Sequence, residues 1–304
     1  MKEAIVKESV APRRSALHAR VLLLKPRVMS LVVLTGAVGY LLAPKPLDVL
    51  NFIAAISAMA AAAGACGALN MWWDADIDAK MARTAMRPIP RGSVAPREAL
   101  LWGLALAVLS VAAMLFRVNF LAGGLLALTI VIYIPFYTMG LKRRTPQNIV
   151  WGGAAGALPP AIGWAAASHE IGFAAFSLFL LIFLWTPAHF WALALRRSGD
   201  YARVGVPMLP NVAGPRETCR QIALYSAALV AASFLPLVIP SLGALYAVAA
   251  ALLGGAFLWR ASKLYALRDA AREQREKAAM GLFGFSILYL FGLFAAMLGD
   301  ALIP

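Results

Sequence analysis

The stretch Cys66-Gly67-Ala68-Leu69-Asn70-Met71-Trp72-Trp73-Asp74-Ala75-Asp76-Ile77-Asp78 decides how the rest of the chain is read. About twenty residues without a charge precede it; three carboxylates then fall within five positions, and Lys80, Arg83 and Arg87 follow. A helix needs about 20 apolar residues to cross a bilayer, so this abrupt change from oil to charge marks a membrane surface. A step of four residues advances about 400° on a helix, which keeps Asn70, Asp74 and Asp78 on one face with a drift of about 40° each time. Cys66 begins that stripe one turn deeper, where a small buried thiol is expected.

Working outward, the composition agrees. Of 304 residues, 62% are hydrophobic and 14% charged, with a mean hydropathy of +0.76. Such a chain is not a soluble globular domain but an all-α, polytopic membrane protein. Nine apolar segments can be counted, at about 28–43, 48–69, 97–116, 119–138, 148–168, 171–195, 220–240, 242–260 and 280–300. Even-numbered connections are longer and charged, whereas odd-numbered ones are short. With the amino terminus in the cytoplasm, this alternation puts every one of the 28 lysines and arginines except Lys45 and Arg117 on the inner side, as the positive-inside rule requires. The carboxyl terminus then lies outside. The net charge of +14 thus reads as topology rather than as nucleic-acid binding.

Residues 1–27 read as a cytoplasmic tail and 28–304 as one nine-helix domain. The tail's only apolar run, Val21-Leu22-Leu23-Leu24, is too short for a cleaved secretory signal. The eighth connection, Ala261 to Ala279, reads as a solvated helical extension, with Asp269–Glu273 and Glu273–Lys277 at helical spacing. Cys66 in an apolar stretch and Cys219 in a basic loop offer neither a disulfide framework nor metal-knuckle spacing. Trp72 and Trp73 suit an interfacial aromatic belt. Gly36, Gly39, Gly64, Gly67, Gly152, Gly153 and Gly156 suit close helix packing.

Ionisable groups at a membrane boundary usually face a bundle interior or an aqueous cavity. Asp74 and Asp78 stand about 6 Å apart along a helix axis, and two carboxylates facing one cavity call for a cation between them. Oxygen ligands suit Mg²⁺, which takes one or two protein carboxylates and fills its shell with water and substrate phosphate. Arg83 and Arg87 could then grip a diphosphate bidentately. The bland alternative is a self-compensating cytoplasmic loop, with Asp76 paired to Arg83 or Lys80. Lys142-Arg143-Arg144 fits either a second phosphate grip or ordinary positive-inside topology.

Here a resemblance adds to the reading. Asn70-xxx-Asp74-x-Asp76-Ile77-Asp78, with Met81-x-Arg83-Thr84-xx-Arg87-Pro88, is similar to the first aspartate-rich motif of the UbiA-type intramembrane prenyltransferases, in the form found in their haem-farnesylating branch. Tyr137-Thr138-xxx-Lys142-Arg143-Arg144-Thr145-Pro146-Gln147-Asn148, Gly152-Gly153-Ala154-Ala155-Gly156, Trp185-Thr186-Pro187-Ala188-His189-Phe190-Trp191 and Asp200-Tyr201-xxx-Gly205-Val206-Pro207-Met208-Leu209-Pro210 continue it. The resemblance implies an Mg²⁺-dependent transfer of a farnesyl group from farnesyl diphosphate to a vinyl group of haem B (protohaem IX), with water added, giving haem O for terminal oxidases. It implies a bacterial inner membrane, the lipid bilayer as surroundings and a downstream haem-modifying enzyme or oxidase as partner, with no nucleic acid.

By position, Asn70, Asp74 and Asp78 match the metal–diphosphate motif. Arg83 and Arg87 are the first phosphate contacts, and Lys142, Arg143 and Tyr137 are substrate-binding candidates. His189 is either a hydrogen-bonded packing residue or, since histidine commonly holds haem iron, a haem ligand. Many relatives carry a second aspartate pair at four-residue spacing; here Val204 stands four residues after Asp200. Asp200 is therefore a solvated loop aspartate, the completion of one Mg²⁺ site, or a partner that orients Arg196 or Arg203. Two other readings remain: a prenyltransferase acting on an aromatic quinone precursor, and an ion-coupled transporter. Charges gathered at one face rather than at mid-helix weigh against the transporter.

Overall fold

The computed structural model describes residues 16–302, and these are entirely helical with turns between. The amino-terminal basic residues Lys2, Lys7, Arg13 and Arg14 lie outside the described residues. The helices are α1 (Ala16–Leu23), α2 (Pro26–Leu42), α3 (Val49–Trp73), α4 (Ala75–Asp78), α5 (Pro96–Ala113), α6 (Phe120–Val131), α7 (Asn148–Ala157), α8 (Pro159–Ser168), α9 (Phe173–Arg203), α10 (Leu209–Val212), α11 (Gly214–Ala232), α12 (Ala244–Ala266) and α13 (Arg272–Leu302). α5 runs on into a π-helical stretch, Met114–Val118, and α6 into another, Ile132–Leu141.

Each of the nine apolar segments falls on a helix, but the segments are not equivalent. Seven are long and apolar enough to cross a membrane: Val49–Trp73, Pro96–Val118, Phe120–Leu141, Phe173–Arg203, Gly214–Val238, Ala244–Ala266 and Arg272–Leu302. The segment expected at 28–43 has the shorter apolar helix Met29–Leu42. The one expected at 148–168 divides into α7 and α8, because Pro159 and Pro160 suit a helix's first turn but not its interior. The chain is a multi-pass membrane protein, and large apolar side chains such as Leu109, Phe116, Phe120 and Leu252 stand exposed on its outer surface.

Small residues let the inner helices touch. A Cβ at Gly163 would sit 1.9 Å from the carbonyl oxygen of Gly36, and one at Gly39 would sit 2.0 Å from that of Pro160, so α2 and α8 cross backbone to backbone. At Gly152 a Cβ would strike the Tyr137 ring. Gly156 departs from the expectation, since a Cβ there meets nothing within 4 Å. On the far side of the bundle, Asp300 of α13 accepts hydrogen bonds from the amides of Gly243 and Tyr246 at the start of α12, satisfying donors that a helix leaves orphaned.

Two further expectations change. The eighth connection is not a continuous helical extension: α12 stops at Leu267, and a turn leads to α13. Its charges therefore pair as Arg268–Asp269 and Arg272–Glu276 rather than in the expected register. Cys219 lies buried within α11 instead of in a loop.

Candidate functional site

The membrane end of α3 breaks at Asp74, whose φ of −89° and ψ of 8° leave the helical region. Hydrogen bonding nevertheless continues through the break, from Asp74 N to Asn70 O (3.0 Å) and from Asp78 N to Asp74 O (2.8 Å). The three-residue stripe survives the bend, and all three side chains are buried: Asn70 is 4% exposed, Asp74 0% and Asp78 3%.

Buried carboxylates are costly unless paired and hydrogen-bonded, and each of these has imported partners. Lys142, just past the π-helical end of α6, pairs with Asp74 Oδ2. Asn70 Nδ2 donates to Asp74 Oδ2 (2.8 Å) and to Thr138 Oγ1 (3.2 Å). The π-helical stretch contains Pro135, which cannot donate in the regular ladder. Arg87 Nη1 meets Asp78 Oδ2 at 2.6 Å, and Thr84 Oγ1 donates to the Asp78 carbonyl at 2.9 Å.

Asp76 points away from this stripe, as its helical position implies, but it pairs with neither Arg83 nor Lys80. Arg143 grips it with two hydrogen bonds of 2.8 and 2.7 Å and reaches Asp74 Oδ1 at 3.5 Å. The Arg143 contact holds the Asp76 carboxyl below its ordinary range. Sixty-odd residues of separation hid that pair from a local reading. Arg83 is exposed and, among the described residues, its side chain forms no hydrogen bond or ion pair, which leaves its guanidinium available at the rim.

Lys25 is the residue that sequence reasoning passed over. Its Nζ donates to Asn70 Oδ1 at 2.6 Å. Its backbone is left-handed, with φ 51° and ψ 59°, a conformation that costs a non-glycine residue about 1–2 kcal/mol. Pro26, the first residue of α2, disfavours the right-handed helical region at the preceding position, so the chain turns sharply and sends Lys25 back into the bundle. Burial, reinforced by the charges of Arg87 and Lys142, lowers its ammonium to about 7. A lysine directly before a proline, at the start of an apolar segment, was the available signal.

His189 sits in the middle of α9, stacked on Trp185 (4.2 Å between ring centres) and Phe283 (4.5 Å). Its Nδ1 lies 2.6 Å from Ser286 Oγ. Ser286 Oγ directs its proton to the Phe283 carbonyl (2.6 Å), so His189 Nδ1 carries the proton and Nε2 the lone pair. This tautomer is assigned from the hydrogen-bond network. Tyr137 packs against Tyr133 with the rings tilted at 38° and their centres 5.7 Å apart. Among the described residues, Asp200, in the last turn of α9, meets only Arg197 at 3.7 Å and Arg203 at 3.9 Å; Arg196 instead reaches Glu276 on α13.

The donor set at the α3 end fits a hard cation. It offers two carboxylates and an amide oxygen, all oxygen ligands. Among the described residues, no three His, Cys, Asp or Glu side chains gather as a self-sufficient cage. A cation held here therefore needs oxygens from water or a bound phosphate to fill its shell.

Comparison with known proteins bears on this arrangement. A family model described as the UbiA prenyltransferase family matches residues 32–287. The protoheme IX farnesyltransferase of Parvibaculum lavamentivorans is 56% identical over 281 residues, covering 92% of this chain and 88% of that protein. A solved structure of digeranylgeranylglyceryl phosphate synthase superposes with a TM-score of 0.79 at 19% identity, over 95% of this chain and 99% of that one. A UbiA homolog from Archaeoglobus fulgidus bound to GPP and Mg²⁺ gives 0.59 at 17% identity, over 92% and 99%. At those identities the two structures speak for the fold alone.

Proposed function

This chain belongs to the UbiA prenyltransferase family, and from that premise we propose that it transfers a farnesyl group from farnesyl diphosphate to a vinyl group of haem B, giving haem O. One observation carries the reading: the buried Asn70–Asp74–Asp78 stripe at a membrane end, neutralised by cations delivered from distant parts of the chain. That is a suitable setting for a water-soluble diphosphate head whose isoprenoid tail stays in lipid. The likeness to protoheme IX farnesyltransferases supports haem as the acceptor.

In this reading, Asn70, Asp74 and Asp78 hold Mg²⁺ with the diphosphate. Mg²⁺, when bound, neutralises negative charge on the departing diphosphate. Arg87, Lys142 and Arg143 line the same site, and Arg83 closes on the phosphates from the rim; their charges are worth most in a site poor in water. As the C1–oxygen bond of the allylic diphosphate breaks, the vinyl π electrons of haem B form the new bond to C1. Water adds to the resulting cation beside the macrocycle and loses a proton, leaving a hydroxyl. The apolar bundle keeps other water from the allylic carbon. No protein nucleophile is required.

His189 Nε2 is the nitrogen that would meet haem iron, with Ser286 orienting the ring, as hydrogen-bonded partners commonly do for metal-bound histidines. Asp200 orients Arg203 and Arg197. The fuller topology belongs to the same proposal: a cytoplasmic tail at 1–27, a nine-helix domain at 28–304 with its carboxyl terminus outside, a bacterial inner membrane, and a downstream oxidase or haem-modifying enzyme that receives the product.

Haem extraction and mass analysis from cells expressing the protein, beside an Asp74→Asn control, tests the reading. A species heavier than haem B by a farnesyl group plus a hydroxyl group is expected with the wild type and not with the control. Unchanged haem together with a prenylated aromatic acid would overturn it.

A further inference from the structure

Two cavities of about 550 and 460 Å³ open where α12 ends and α13 begins, away from the α3 stripe. The first is lined by Trp259, Arg260, Lys263, Gln274, Lys277 and Gly281, among others, and the second shares Lys277. Three cations thus converge on one hollow between two membrane helices.

Their surroundings set them apart from the other basic residues nearby. Arg268 pairs with Asp269, Arg272 with Glu276, and Arg275 donates to the carbonyl of Ala270. Among the described residues, the side chains of Arg260, Lys263 and Lys277 form no ion pair or hydrogen bond. What Arg260 and Lys263 do have is aromatic. The Arg260 guanidinium lies over Phe285 (4.8 Å) and Trp259 (5.7 Å), and the Lys263 ammonium over Trp259 (5.5 Å). Arg260 Nε is buried without a hydrogen-bond partner, and a buried donor left in that state is costly. Trp259 is 60% exposed, as a tryptophan at a membrane interface is expected to be.

Unpaired cations in a pocket between helices, at the level of an exposed tryptophan, match the chemistry of a phosphate group carried on apolar chains. We propose that this hollow holds the phosphate headgroup of an anionic membrane phospholipid. Lys263 and Lys277 contact the phosphate from either helix, Arg260 supplies the deeper charge, and the acyl chains run down the exposed apolar surface of α12. The occupant binds across the α12–α13 hairpin, so its contribution is to the docking of these two helices, apart from the transfer chemistry.

Native mass spectrometry of the purified full-length protein tests this, with phosphatidylglycerol titrated against phosphatidylcholine of the same chains. The wild type is expected to retain one phosphatidylglycerol at least about tenfold more tightly than phosphatidylcholine. Lys263→Gln combined with Lys277→Gln, both at exposed positions, should erase most of that preference. Arg268→Gln combined with Arg272→Gln removes the same amount of charge from the already paired neighbours and should keep it. Equal retention of the two lipids by the wild type would overturn the proposal, as would an equal loss in both double variants. A third arm adds glycerol 3-phosphate and farnesyl diphosphate in turn. Displacement of the lipid by either at micromolar concentration would assign the hollow to a soluble phosphate or to substrate instead.

Discussion

Asp74 and Asp200 both lie at the carboxyl end of a long apolar helix, yet their surroundings have little in common. Asp74 is completely buried and bonded to Lys142, Arg143 and Asn70. Asp200 keeps a fifth of its side chain exposed and, among the described residues, meets only arginines of its own helix, at 3.7 and 3.9 Å. An aspartate becomes part of a charged site when distant segments bring cations to it. Local partners at helical spacing make a surface pair, worth about 0.3–0.5 kcal/mol.

The sharpest way to break this contrast is Asp74→Asn, which leaves Lys142 facing a neutral amide. A loss of about a hundredfold or more in farnesyl transfer is expected, the scale on which a preorganised electrostatic group acts; full activity would undo the assignment of the α3 end. Next comes the contrast within the stripe itself. Asp78→Ala should cost about tenfold or more, because it removes a buried carboxylate and leaves half-buried Arg87 without its partner, while Asp76→Ala should stay within a few-fold; equal losses in a direct assay would refute the division of roles. His189→Ala should move the absorption band of bound haem, with Ser286→Ala moving it less, and an unshifted spectrum would return His189 to simple packing.

Asp200→Asn should cost no more than about threefold, on the argument that exposed pairs contribute little. A loss matching that of Asp74→Asn would mean that the two helix ends act as one site. The smallest effect concerns pH. Asp76 has a folded-state pKa held below its ordinary value by Arg143, so the unfolded chain binds the proton first as pH falls. The pair's contribution is present at neutral pH and disappears as pH drops through the folded-state value. With Asp76 59% exposed, solvent screening keeps this below about 1 kcal/mol. The gap in thermal unfolding between wild type and Asp76→Asn should be smaller at pH 3 than at pH 7, and a constant gap would contradict the linkage.

Much of this was legible in order along the chain. Apolar run length announces membrane helices because a bilayer offers no partner for an unsatisfied backbone group. The four-residue spacing of Asn70, Asp74 and Asp78 determined a shared face, since helical periodicity is local. That face survived the bend at Asp74 because its hydrogen bonds run through the bend. The metal–diphosphate reading of that face followed from residue type.

Which cation meets which carboxylate was decided only in three dimensions. Arg143 joins Asp76 across 67 positions and Lys142 joins Asp74 across 68, distances at which no periodicity operates. Lys25 enters the site because a left-handed turn before Pro26 sends it there. The three unpaired cations between α12 and α13 show the same limit from the other side. Their sequence neighbours, equally basic, found partners, and only the folded hairpin determines which charges are left open to the membrane.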